Sequence, residues 1–147
     1  MKKRLSFITA LAVVCTFFVG CKKDKEEPID ILTSKTWKRA AVDKNPSTNP
    51  KGSIKYFEIS GCVKDDVFYF YDNGTYEIKN PDGTCSTQMS GFKISKYNLN
   101  SNEFYLGNST VGEIAEISKK QLKIYFKIVV SQSPDPNMPD YLVMILE

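Results

Sequence analysis

The sequence predicts an all-β protein, an antiparallel up-and-down β-barrel of about eight strands. From Leu32 to Glu147, short runs rich in β-branched and aromatic residues recur between turn signals. One run, Leu122–Val130, alternates cleanly. Leu122, Ile124, Phe126 and Ile128 take one side, and Lys123, Tyr125 and Lys127 the other. This is the pattern of a half-buried antiparallel strand with a charged outer face. Short turns link consecutive runs, and closing such a meander removes the exposed edges an open sheet would leave.

The elements follow in order. Lys2, Lys3 and Arg4 form a basic start, and Leu5–Val19 then runs without a charge. That stretch is too short for a membrane-spanning helix, which needs about 20 apolar residues, but suits the apolar region of a signal peptide. Residues 1–20 are therefore expected to be a signal and 21–30 a charged, solvated tether reaching Pro28. Residues 31–147 are expected to form one domain.

The first strand is expected at Thr36–Val42, with the only Trp. Asp43–Ser53 is a polar loop with two prolines, and Ile54–Ser60 reads as a strand or an irregular lid. Val67–Tyr71, Asp72-Asn73-Gly74 and Thr75–Lys79 make the clearest hairpin, because Asn-Gly accepts the positive φ of a tight turn. Further strands are expected near Thr87–Ser95, Glu103–Leu106, Val111–Ile117 and Leu122–Val130. After the Pro-rich loop Ser131–Pro139, Asp140–Glu147 is the last strand. No helix stands out.

Composition narrows the function classes. The formal charge of +3 includes the three cations of the signal; without them 17 basic residues face 17 acidic ones. No dense Lys/Arg block remains in the domain, so nucleic acid is not an expected partner. The chain has no His, which removes the commonest general base and transition-metal ligand. There is no phosphate-binding Gly-rich loop and no nucleophile elbow. The expectation is a non-enzymatic protein without metal or cofactor.

Phe18-Val19-Gly20-Cys21 resembles the lipobox of bacterial lipoproteins. The resemblance implies cleavage after Gly20 and a lipid-carrying Cys21, with the domain held at a membrane of the cell envelope, in the outer membrane and on its periplasmic or outer surface. Family members usually have Leu where Phe18 stands. Cys15 fits poorly, since Val14 precedes it and apolar residues follow. Lys23-Asp24-Lys25-Glu26-Glu27 resembles the acidic export tags of some surface-displayed lipoproteins, and reads equally as a plain spacer.

In an oxidising compartment the two remaining cysteines, Cys62 and Cys85, most simply pair. Closing that loop would contribute about 3 kcal/mol in the chain-entropy model. A metal or redox pair lacks a third ligand or a Cys-x-x-Cys spacing.

The block Cys62-Val63-Lys64-Asp65-Asp66-Val67-Phe68-Tyr69-Phe70, then Asp72-Asn73-Gly74-Thr75-Tyr76, then Cys85, resembles the lipocalin-like domain of small bacterial lipoproteins. Those proteins also carry a Leu-x-Gly-x-Trp motif; here Leu32 is followed by Ser34 in place of glycine and by Thr36-Trp37. The resemblance implies a barrel of about eight strands and leaves the ligand open.

The inward face is expected to include Trp37, Phe68, Phe70, Tyr76, Ile78, Phe92, Ile94, Leu122, Ile124, Phe126, Leu142 and Met144. Trp37, Phe68, Phe70, Tyr76, Phe92 and Phe126 are the candidate walls of a pocket for a small hydrophobic ligand. The plainer reading is that they fill the core. Asp65 and Asp66 are adjacent, so they point to opposite faces of a strand, and one of them is expected to cap a turn. Glu113 and Glu116 lie on a strand whose alternation assigns no face. The alternative function is an accessory module whose loops, Asp43–Ser53 and Ser131–Pro139, contact a protein or glycan.

Overall fold

The computed structural model describes residues 26–59, 61–81, 95–107, 110–129 and 137–147. Cys21, Cys85, Phe92 and Ile94 lie outside the described residues, as does the side chain of Cys62.

A short helix α1 (Pro28–Thr33) precedes nine strands: β1 (Trp37–Lys38), β2 (Ile54–Tyr56), β3 (Val67–Phe70), β4 (Thr75–Lys79), β5 (Ser95–Asn98), β6 (Glu103–Leu106), β7 (Thr110–Ile117), β8 (Leu122–Lys127) and β9 (Tyr141–Leu146). Pro28 opens α1, where its missing N–H costs nothing, and Leu32 buries the helix against the core. The helix thus occupies the junction between the expected tether and the expected domain.

The strands form one mixed sheet in the order β1-β3-β4-β5-β6-β7-β8-β9-β2, curled into a half-barrel. From β3 to β9 it is an antiparallel meander, as expected, but β5 begins at Ser95, where the expected strand Thr87–Ser95 ends; residues 87–94 lie outside the described residues. Asn73 and Gly74 turn β3 into β4: Gly74 sits at φ 78°, and Asn73 Oδ1 accepts from the Thr75 amide at 3.0 Å.

Two features depart from a simple up-and-down barrel. β2 runs parallel to β9, with Ile54, Lys55 and Tyr56 beside Tyr141, Leu142 and Val143. β1 contributes only two residues to its ladder with β3, Trp37 opposite Phe68 and Lys38 opposite Val67. The chain then turns to β9: Lys38 and Glu147 exchange backbone hydrogen bonds at 2.9 and 2.8 Å, and Ala40 N donates to Ile145 O at 2.9 Å. The outer edge of β9 is therefore divided, its first half taking β2 and its second half taking residues 38–40. The fold is all-β, but the wholly antiparallel arrangement is corrected to a mixed one.

The concave side holds one core of Leu32, Trp37, Phe68, Phe70, Tyr76, Tyr97, Phe104, Ile114, Leu122, Ile124, Phe126, Met144 and Leu146. α1 covers one end of it, and Trp37 Nε1 donates to Leu32 O at 2.9 Å. The β7–β8 turn and the end of β9 lie at this same end, since Lys35 Nζ donates to Lys119 O and Lys44 Nζ to Lys120 O and Glu147. β8 leaves this end and β9 returns to it. Val129, just after β8, and Met138, just before β9, lie at the opposite end; residues 130–136, most of the expected loop Ser131–Pro139, lie outside the described residues.

Candidate functional site

The structure places five of the six predicted pocket residues together in the concave core. Trp37, Phe68 and Tyr76 are fully buried, and Phe70 and Phe126 nearly so. They pack on one another and on Phe104. Tyr76 stacks on Phe104 with ring centroids 4.5 Å apart, Phe70 lies 5.4 Å from Tyr76, and Phe104 meets Phe126 edge-on at 6.3 Å. Each such pair adds about 0.5–1.5 kcal/mol beyond the area it buries. Tyr76 satisfies its hydroxyl by donating to Tyr105 O at 2.7 Å, and burial pushes its ionisation well above the usual range. Tyr97 and Phe104 belong to this column but were missed, because four-residue strands give too little alternation to assign a face.

One end of the core is polar. Arg39 continues the inward side of β1, and its Nε lies 3.5 Å from Asp66 Oδ2, both side chains being almost fully buried. The guanidinium sits over the rings of Phe57 and Phe68, and Arg39 Nη1 donates to Met144 Sδ at 3.3 Å. Burial pushes the Asp66 carboxyl up, against the opposing pull of Arg39. Asp66 is thus a buried ion-pair member, whereas Asp65 is exposed. Arg39 Nε and Asp66 Oδ2 are held by this long ion pair, and Ser95, close to Tyr76, is buried at 4 % exposure.

A second polar cluster lies on the convex side. Lys123 points outward as its alternation predicts, yet its exposure is 0 %, which corrects the expected solvated face. The loop after β1 covers it. Lys123 Nζ donates to Asp43 Oδ2 at 2.8 Å, to Asn45 O at 2.6 Å and to Asn49 Oδ1 at 2.8 Å. All three ammonium protons are used. Asp43 also accepts from Tyr56 Oη at 3.0 Å, Gln121 Nε2 at 3.3 Å and its local partner Asn45 N at 2.9 Å.

Burial opposes the charge on Asp43, but the hydrogen bonds from Lys123, the Asn45 amide, Tyr56 and Gln121 outweigh it and hold the carboxyl at about 2. Glu116 joins the cluster through Asn45, Thr48, Gln121 and Ser118. Its face was unreadable because the β7–β8 register shifts between Ile114 and Glu116, which puts Glu113 and Glu116 on the same side. The cluster pins the loop Asp43–Ser53 onto β7 and β8.

Beyond this clamp, a cleft of about 380 Å³ opens on the convex face of β6 to β9. Tyr125 and Tyr141, ring centroids 5.4 Å apart, line it beside Glu103 and Glu113, which stand opposite each other in register. Burial and a hydrogen bond to Glu113 push the Tyr125 hydroxyl up to about 12. Among the described residues no group of three or more His, Cys, Asp or Glu is placed to hold a metal ion, and no helix is long and apolar enough to cross a membrane. Family models, curated proteins and solved structures contain no match to this chain.

Proposed function

We propose that the protein is a lipid-anchored, non-enzymatic accessory module of the cell envelope, with a lipocalin-like fold, that contacts its partner through its convex face and loops. One observation carries this choice over a ligand carrier: Phe70, Tyr76 and Phe126, predicted to line a pocket, pack on one another and on Phe104. The Tyr125–Tyr141 cleft supplies a surface with both aromatic and carboxylate groups. Loop Asp43–Ser53, fixed by Lys123, adds a preformed rim.

The test uses native protein and a Tyr141→Ala variant, each crosslinked in envelope fractions. A crosslinked species that the variant loses supports the reading. A species unaffected by that change, or by replacement of the Asp43–Ser53 loop, counts against it.

The second reading is a carrier of a small amphipathic molecule with a polar group. It is favoured by the buried polar groups at one end of the apolar core, Arg39, Asp66 and Ser95, which could meet the polar group of such a molecule. Saturable binding of a fluorescent fatty acid, with a one-to-one complex in native mass spectrometry, would establish it and displace the first.

A further inference from the structure

We infer that the α1 end of the half-barrel lies against the membrane surface, with Lys35 and Lys120 over anionic headgroups and the rim of Val111, Val129 and Met138 turned away. The inference rests on the reading of Cys21 as the lipidated residue.

The first support is reach. Glu26 is five residues beyond Cys21, and five residues span at most about 18 Å even when fully extended. Glu26 is fixed at the α1 end, where Lys119 Nζ lies 2.7 Å from its Oε1. The six residues of β9 rise about 20 Å from the opposite end to this one. To bring the far rim to the lipid, the tether would have to run fully stretched down the side of the sheet.

The second support is the distribution of side chains. Lys35, Lys44, Lys119 and Lys120 gather where α1, the β7–β8 turn and the end of β9 meet. Glu26 pairs with Lys119 and Glu147 with Lys44. Among the described residues Lys35 and Lys120 form no ion pair and both are exposed, while Glu27 and Asp30 are exposed at the same end, which is therefore of mixed charge. Lysines within a Debye length of an anionic leaflet are attracted to it. Of the exposed large apolar residues, which also include Val42, Tyr56 and Tyr71, Val111, Val129 and Met138 lie at the other end, Val129 being 83 % exposed. Hydrophobicity alone would put that rim in the lipid; the anchor position puts it outside.

The experiment uses the full lipidated chain in vesicles of phosphatidylcholine, with and without phosphatidylglycerol. A photoreactive benzoylphenylalanine replaces either Lys120 or Met138. The expected result is a lipid adduct from position 120 at least ten-fold above that from 138. An adduct from 138 equal to or above that from 120 overturns the orientation. A yield at a third probe position, Ser34, that rises several-fold with phosphatidylglycerol supports the headgroup contact, and an unchanged yield overturns it.

Intact mass is read on the same sample. Acyl mass on Cys21 with an adduct from 138 overturns the orientation alone. No acyl mass overturns the anchor, and the orientation with it.

Discussion

The ammonium of Lys123 lies 2.8 Å from the Asp43 carboxylate, a pair separated by 80 residues in sequence and sealed from water on both sides. Lys123→Met removes the only cation of the clamp and leaves Asp43 charged and covered. Breaking a buried pair in this way costs about 3–5 kcal/mol. Urea denaturation is expected to show a loss of this order, with new proteolytic cleavage in Asp43–Ser53. A loss below about 0.5 kcal/mol, the scale of an ordinary surface substitution, would mean that the loop is held by other contacts.

The same carboxylate sets an acid limit. Asp43 is held at about 2, below its ordinary 3.8, so as the pH falls the unfolded chain takes up this proton before the folded one does. Its contribution is complete above the ordinary value and is lost as the pH falls through about 2. The carboxyl is covered by a single loop and solvent close by still screens it, so about 1–2 kcal/mol is at stake. Stability measured from pH 5 to pH 2 should fall more steeply in the native chain than in Asp43→Asn.

Arg39 and Asp66 should behave as a unit. Asp66→Leu alone leaves a buried guanidinium unpaired and is expected to cost about 3–5 kcal/mol. The double variant Arg39→Met with Asp66→Leu should recover most of that loss. A double-mutant cycle with no coupling energy would refute the pairing.

Gly112 faces the core, and a methyl group there would meet Phe126 Cε1 at 2.6 Å and Ile124 Cγ2 at 2.9 Å. Gly112→Ala is expected to destabilise by about 1–3 kcal/mol through overpacking. Thermal unfolding of this single variant measures it.

The proposed Cys62–Cys85 bond has a direct chemical readout. Native protein is expected to show neither thiol to an alkylating reagent, and Cys62→Ser to expose one at Cys85. Two reactive thiols in the native chain would rule out the bond.

What was legible in the sequence was local. The β3–β4 hairpin follows from Asn73-Gly74, whose turn chemistry needs no tertiary information. The facing of β8 follows from its alternation, and Leu122, Ile124 and Phe126 are buried as expected. The fate of the outward side chains was not legible. Lys123 is covered by a loop from far along the chain, and nothing in its own neighbourhood announces that. β2 is too short for its pattern to choose a partner, so its parallel pairing with β9 is a tertiary outcome. Asp65 and Asp66 are indistinguishable by type; the backbone path into β3 decides that Asp66 faces Arg39. The outer cleft arises from four strands meeting, and no local motif marks it.

The divided edge of β9 has a consequence for the order of events in folding. Beyond its short ladder with β3, the segment at 38–40 pairs with residues 145–147, so one of the first pieces of the domain to be synthesised waits for the last. Contacts of such long sequence separation carry a large loop-closure entropy and slow folding. The meander from β3 to β9 can assemble from neighbours, but the N-terminal strand can be secured on β9 only after residues 145–147 have been made. Closure of the domain is thereby tied to the arrival of the end of β9.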